Sequence, residues 1–175
     1  GGFTLTLGGK RFYPIMIPEK QVCWMKATVR GQGGHGSMPE KGGATAKLAK
    51  FLKALDEKDL PVHVTPATKL MVDAMASALG GLQGFILAQL TNPALTDLVL
   101  KTLGSRVRSF YPLFRNTASP TIIHSSDKVN VIPSEISVEL DGRLLPGQKP
   151  EDMIRELKAI AGGDVEFELI QYEPG

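Results

Sequence analysis

Residues 135–169 read EISVELDGRLLPGQKPEDMIRELKAIAGGDVEFEL, and this stretch decides the fold. Ile136, Val138 and Leu140 alternate with Glu135, Ser137, Glu139 and Asp141, the period-two pattern of a strand with one buried face. Pro150 then stands at a first helical position with Glu151 and Asp152 behind it, where acids favour the positive end of the helix dipole. Met153, Ile154, Leu157, Ile160 and Ala161 form one apolar stripe, and Gly162-Gly163 stops it. Val165, Phe167 and Leu169 alternate with Glu166 and Glu168, which makes a second strand. The stretch reads strand, helix, strand.

Working towards the N-terminus, residues 121–123 are a short β-branched strand candidate, and residues 22–29 are rich in β-formers. Between them Leu48, Phe51, Leu52 and Leu55 fall at i, i+3, i+4 and i+7, with Lys47, Lys50 and Lys53 on the solvated opposite side. The framework is therefore β-α-β-β-α-β, a ferredoxin-like α+β pattern. Residues 66–119 interrupt it. Leu70, Met71, Ala74, Met75 and Ala78 look helical and end at Gly80-Gly81; Asn92-Pro93 opens another helix carrying Leu95, Leu98, Val99 and Leu103, closed by Gly104. This segment reads as a helical insertion. Residues 3–7 and 11–17, joined by Gly8-Gly9, read as a β-hairpin.

Composition narrows the function classes. A chain of 175 residues that is 42% hydrophobic and 22% charged can bury a globular core and is not disordered. Its 20 basic and 18 acidic residues leave +2 formal charge, without the basic stripe a nucleic-acid partner needs. Cys23 is the only cysteine, so no internal disulfide framework exists, and it reads as a small buried hydrophobe. Apolar runs are too short to span a bilayer. No signal-peptide pattern opens the sequence, and a cytoplasmic location is the expectation.

Ahead of the first helix stands GQGGHGSMPEKGG, residues 31–43, whose first six residues spell G-x-G-x-x-G. A dinucleotide-binding turn would open its helix at the third glycine, so that helix N–H groups point at the phosphates. Here seven further residues, 37–43, separate that glycine from the helical stripe, and no parallel βαβ series follows. The nucleotide reading fails. What remains is His35, flanked by glycines that leave its imidazole unhindered and let the backbone come close to another surface. Further on, KVNVIPSEISVELDGRLLPG places Asn130 before an Ile-Pro turn and Arg143 near the end of the following strand. Asparagine offers a neutral donor and acceptor; arginine offers a planar fork suited to a carboxylate. An ion pair between Arg143 and Asp141 at the strand end is the plainer alternative.

A strand, then G-x-G-G-H-[GA]-S-x-P, a helix, N-V-I-P and finally D-x-R-x-x-P resembles the lid, or dimerisation, domain of the zinc metallopeptidases and amidohydrolases. Aminoacylase, glutamate carboxypeptidase, succinyl-diaminopimelate desuccinylase and acetylornithine deacetylase belong to that family. The resemblance covers residues 20–175 apart from the insertion. It implies a four-stranded antiparallel sheet with two helices. It also implies that His35 reaches an active site and stabilises the substrate oxyanion, and that Asn130 and Arg143 bind the carboxylate end of a small peptide or N-acyl amino acid. In several members the histidine and asparagine serve a partner protomer's site, so a homodimer is expected. Residues 1–19 would then be a hairpin linker from a catalytic domain. The metal ligands of that domain are not in this sequence, and its two zinc ions are expected there; the metal site here is none, and the chain alone is expected to be inactive. His63 and His124 read as structural. Two other readings stay open: a stand-alone ferredoxin-like module sensing a small amino acid, and a module whose purpose is dimerisation. Metal ligands in the flanking sequence would decide for the enzyme.

Overall fold

The computed structural model describes residues 4–13, 15, 19–103 and 110–174. Its centre is an antiparallel sheet of four strands: β3 (Gln21–Arg30), β5 (Thr117–His124), β7 (Glu135–Leu144) and β8 (Val165–Glu173), in the order β5-β7-β3-β8. Helices α1 (Ala44–Glu57) and α5 (Pro150–Ala161) follow β3 and β7, so the chain runs β-α-β-β-α-β through the sheet. Alternation along the strands determines the layers. Cys23, Met25, Ala27 and Val29 on β3, and Ile136, Val138, Leu140 and Leu144 on β7, point into one core with Leu48 and Phe51 of α1 and Met153 and Leu157 of α5. Phe51 meets Phe167 of β8 edge to face, with ring centroids 5.7 Å apart. The other face carries ion pairs such as Lys26–Glu168 and Arg30–Glu135 together with the partly exposed Trp24. Burial pushes the Cys23 thiol up to about 11, which keeps it a protonated hydrophobe.

Gly142 shows how tightly β3 and β7 approach. A Cβ there would lie 2.0 Å from the Cys23 carbonyl oxygen. Gly142→Ala is therefore expected to force the two central strands apart and to cost about 3 kcal/mol. Gly163→Ala, where an added Cβ meets nothing within 4 Å, is the control. Chemical denaturation of both variants checks this, and equal midpoints would overturn it.

The segment between α1 and β5 builds a second core. Helices α2 (Pro66–Leu79), α3 (Gly81–Ala88) and α4 (Thr96–Leu103), with a 3₁₀ turn at Gln89–Thr91, bury Val72, Met75, Leu87, Leu90 and Val99 with Phe110 and Phe114. Pro66 sits at the start of α2, and the Thr65 hydroxyl caps it by accepting from the Thr68 N–H at 3.1 Å. The sequence-based bounds of the insertion need correcting at the far end. Strand β5 begins at Thr117, so residues 117–119 belong to the sheet; Pro120 does not interrupt the strand because β5 is an edge, where a missing N–H is tolerated. Helix α3 was hidden by its glycines. Gly104, expected to close the last helix, lies outside the described residues.

The predicted hairpin forms, as β1 (Leu5–Leu7) and β2 (Lys10–Phe12) around Gly8-Gly9. It is shorter than expected, since Thr4, Tyr13 and Ile15 are not in strands, and the parts expected at residue 3 and over residues 14 and 16–17 lie outside the described residues. Leu5, Leu7 and Phe12 pack on the helical core, and the Lys10 ammonium donates to the Ala78 carbonyl. The two cores are joined through a polar neck. Val62 pairs with Arg115, and the His63 N–H donates to the Phe114 carbonyl at 2.7 Å. The buried carboxylate of Glu156 bonds His63 Nε2 at 2.6 Å and accepts from the Asn116 amide at 3.0 Å. Asn116 in turn accepts from the Leu145 N–H.

Candidate functional site

His35 and Asn130 come together. The glycine loop after β3 forms a two-residue strand, β4 (Gly34–His35), which pairs antiparallel with β6 (Val131–Ile132), His35 standing opposite Val131. The Gly31 N–H donates to the Ser134 carbonyl at 2.9 Å, and the Gly36 N–H to the Asn130 carbonyl at 2.8 Å. Two loops distant in sequence are thus zipped side by side beyond the end of the sheet. Gly31 has its own reason: a Cβ there would lie 2.3 Å from the Ala44 nitrogen, where α1 begins. The G-x-G-x-x-G pattern therefore serves backbone packing, and the helix opens well past Gly36, at Ala44.

The imidazole of His35 is exposed, and its Nδ1 lies 2.8 Å from the Ser37 hydroxyl. The Ser37 backbone N–H also points at Nδ1, at 3.3 Å, and an N–H can only donate. Nδ1 is thus placed to accept, and an imidazole that is neutral and accepts there has its proton on Nε2. Met38, Val129 and Val131 around it are exposed as well. The tip presents a hydrogen-bond donor set in an apolar rim.

Arg143 stands elsewhere. It lies at the far end of β7, opposite Val22 of β3 and Thr117 of β5. The loop with Asn130 and Ser134 feeds the near end of the same strand, at Glu135. At ~3.3 Å per residue the two ends are about 25 Å apart. The Arg143 guanidinium is half-buried and lies side-on to Asp141, with Nε to Oδ1 at 2.8 Å and Nη2 to Oδ2 at 3.3 Å. Trp24 Nε1 also donates to Asp141, at 3.0 Å. Asp141 thus positions the arginine, while the end-on edge of the fork keeps N–H groups for a further acceptor.

The other histidines are held by acids. His124 Nε2 is 2.7 Å from Glu139, and His63 belongs to the neck with Glu156. Glu156, Asn116 and Lys20 escaped sequence reading because their partners are brought by the fold. Only a lone acid inside an apolar helix stripe, Glu156 beside Leu157, hinted at the buried carboxylate. Among the described residues no group of three His, Cys, Asp or Glu is placed to hold a metal ion. None of the described helices is long and apolar enough to cross a membrane.

Residues 17–165 match the M20 peptidase dimerisation domain, and the chain belongs to that family. It is 29% identical over 154 residues to the probable carboxypeptidase S-like 2 of Dictyostelium discoideum, covering 86% of this chain and 28% of that protein. It is 25% identical over 163 residues to the human N-fatty-acyl-amino acid synthase/hydrolase PM20D1, covering 91% of this chain and 32% of that protein. The solved structure of an aminobenzoyl-glutamate utilization protein from Klebsiella pneumoniae matches 89% of the chain at 11% identity with a TM-score of 0.48, covering 29% of that structure. The chain thus spans about three tenths of the length of these relatives.

Proposed function

We propose that this chain is the lid and dimerisation domain of a zinc-dependent peptidase or amidohydrolase, and that His35 stabilises the oxyanion of the substrate carbonyl. The observation that carries the reading is the contact pattern of the imidazole: the Ser37 hydroxyl and backbone N–H both lie at Nδ1, which leaves Nε2 to serve as the donor. When a nucleophile adds to an amide carbonyl, negative charge gathers on the oxygen, and a donor aimed there stabilises the transition state more than the ground state. Asn130, whose backbone carbonyl accepts from Gly36 next to His35, offers a carboxamide that can donate to or accept from polar groups of the same substrate. The names of both relatives denote chemistry at an amide bond next to a carboxylate, which supports a peptide or N-acyl amino acid as substrate and Arg143 as its carboxylate partner.

The 25 Å between the two ends of the sheet favours a division of labour in a homodimer. No single small substrate reaches both ends of one chain. We infer that His35 and Asn130 act in a partner protomer's site while Arg143 acts in its own. The strand order, with all neighbours antiparallel, supports the ferredoxin-like class for the sheet unit.

Among the described residues no group of side chains fits zinc. Its ligands belong to the remainder of the parent protein, and when bound there the ions would supply Lewis-acid chemistry. The test has two parts. The full-length protein is expected to hydrolyse N-acyl amino acids or dipeptides, to lose that activity to a chelator and to regain it with zinc. The 175-residue chain alone is expected to bind no zinc tightly in a calorimetric titration. Stoichiometric submicromolar binding by this chain, or a chelator-insensitive parent, would sink the proposal.

A further inference from the structure

At the far end of the sheet a second cation stands beside Arg143. Lys20 precedes β3, and its ammonium donates to the Arg115 carbonyl at 2.9 Å and to the Thr117 hydroxyl at 3.0 Å. Thr117 is the cross-strand neighbour of Arg143. Two side chains from different elements, distant in sequence, therefore bring positive charge to one corner of the sheet. Both partners of the ammonium are neutral, so two of its three donors hold it in place without cancelling its charge.

None of the acids nearby makes a salt bridge to Lys20 among the described residues. Asp141 is bonded to Arg143 and Trp24, and Glu173, at the end of β8 opposite Val22, accepts from Gln171. The guanidinium of Arg115 is turned to Asp97 and Asp59. Glu19 is on the same segment as Lys20, and among the described residues no salt bridge to Lys20 is present. Half-burial without an acid partner, and then the Arg143 charge, lower the Lys20 ammonium to about 8.

We propose that Lys20 and Arg143 together form a carboxylate pocket, in which Arg143 supplies the end-on fork and Lys20 a second positive charge that makes a free carboxylate a condition of tight binding. Lys20 is thus a specificity-determining residue. The inference rests on the reading of Arg143 as a carboxylate partner.

Linkage gives the sign of the pH dependence. A carboxylate binds the protonated ammonium, so affinity is full below about pH 8 and falls as the pH rises through that value. Lys20→Arg, which does not titrate in this range, should flatten that arm. The experiment uses the full-length protein and the best-cleaved member of a panel of N-acetyl amino acids, each compared with its α-carboxamide. Lys20→Gln can still bond the Arg115 carbonyl and Thr117, which keeps the fold. It is expected to raise KM for the carboxylate by about ten- to a hundredfold, as befits a lost charged hydrogen bond, and to leave the carboxamide unchanged. Arg143→Ala should show the same selectivity. If Arg143→Ala loses the discrimination and Lys20→Gln keeps it, the Lys20 inference is overturned and the Arg143 reading stands. Discrimination surviving in both variants overturns both. Equal losses for carboxylate and carboxamide in Lys20→Gln, with a lowered melting temperature, would make Lys20 a structural clamp and end the proposal.

Discussion

His35→Ala in the full-length protein is expected to lower turnover by about 10²–10³ while KM changes little, because a donor to an oxyanion acts mainly in the transition state. The loop should survive the change. It is held by backbone bonds, Gly31 to Ser134 and Gly36 to Asn130, which do not involve the imidazole. His35→Gln retains a side-chain donor on a longer reach and should recover part of the loss. Ser37→Ala acts one step back: it removes the hydroxyl at Nδ1 and leaves the weaker backbone N–H. Turnover measured with saturating substrate, beside a melting curve for each variant, separates these effects. Unchanged turnover in His35→Ala would make the imidazole a surface side chain and nothing more.

The sheet was legible in the sequence because its strands have one buried face. Ile136, Val138 and Leu140 could alternate with charged residues only if those charges faced water, and they do. The first and last helices were legible for the same reason, with Pro150 and Gly162 marking the ends of one of them. Helix α3 was not. Gly81 and Gly84 punctuate GLQGFILA as a turn would, and only packing against α2 makes it helical. Strand β5 was read too short: only residues 121–123 form its β-branched run, and the sequence does not tell that the strand lies at the edge, where Pro120 is tolerated. Of the candidate site, the residue types carried the chemistry, whereas the distances did not follow. Asn130 and Arg143 are close in sequence but stand at opposite ends of a ten-residue strand. Lys20 and the Glu156 neck were invisible because each depends on partners from remote segments.

Arg143→Ala is expected to weaken carboxylate substrates by about 2–5 kcal/mol, the cost of losing one partner of a desolvated charge pair. The wild-type Asp141 contact makes the sign of the result informative. Were that ion pair the whole purpose of Arg143, its loss would lower the melting temperature and affect carboxylate and carboxamide substrates alike. Arg143→Lys keeps the charge and loses the fork, so it should rescue only part of the binding. The placement of His35 and Arg143 at opposite ends of the sheet adds a sharper consequence. In a two-fold dimer whose site combines one protomer's Arg143 with its partner's His35, a heterodimer of Arg143→Ala and His35→Ala holds one intact site and one doubly damaged site. Random exchange makes half the dimers mixed, so at substrate well below KM, where both variants are slow, exchange should regain about a quarter of the wild-type rate. If both residues served the same protomer's site, every site in the mixture would carry a defect. No recovery from verified heterodimers would therefore refute the shared site while leaving the separate losses of the two variants to stand.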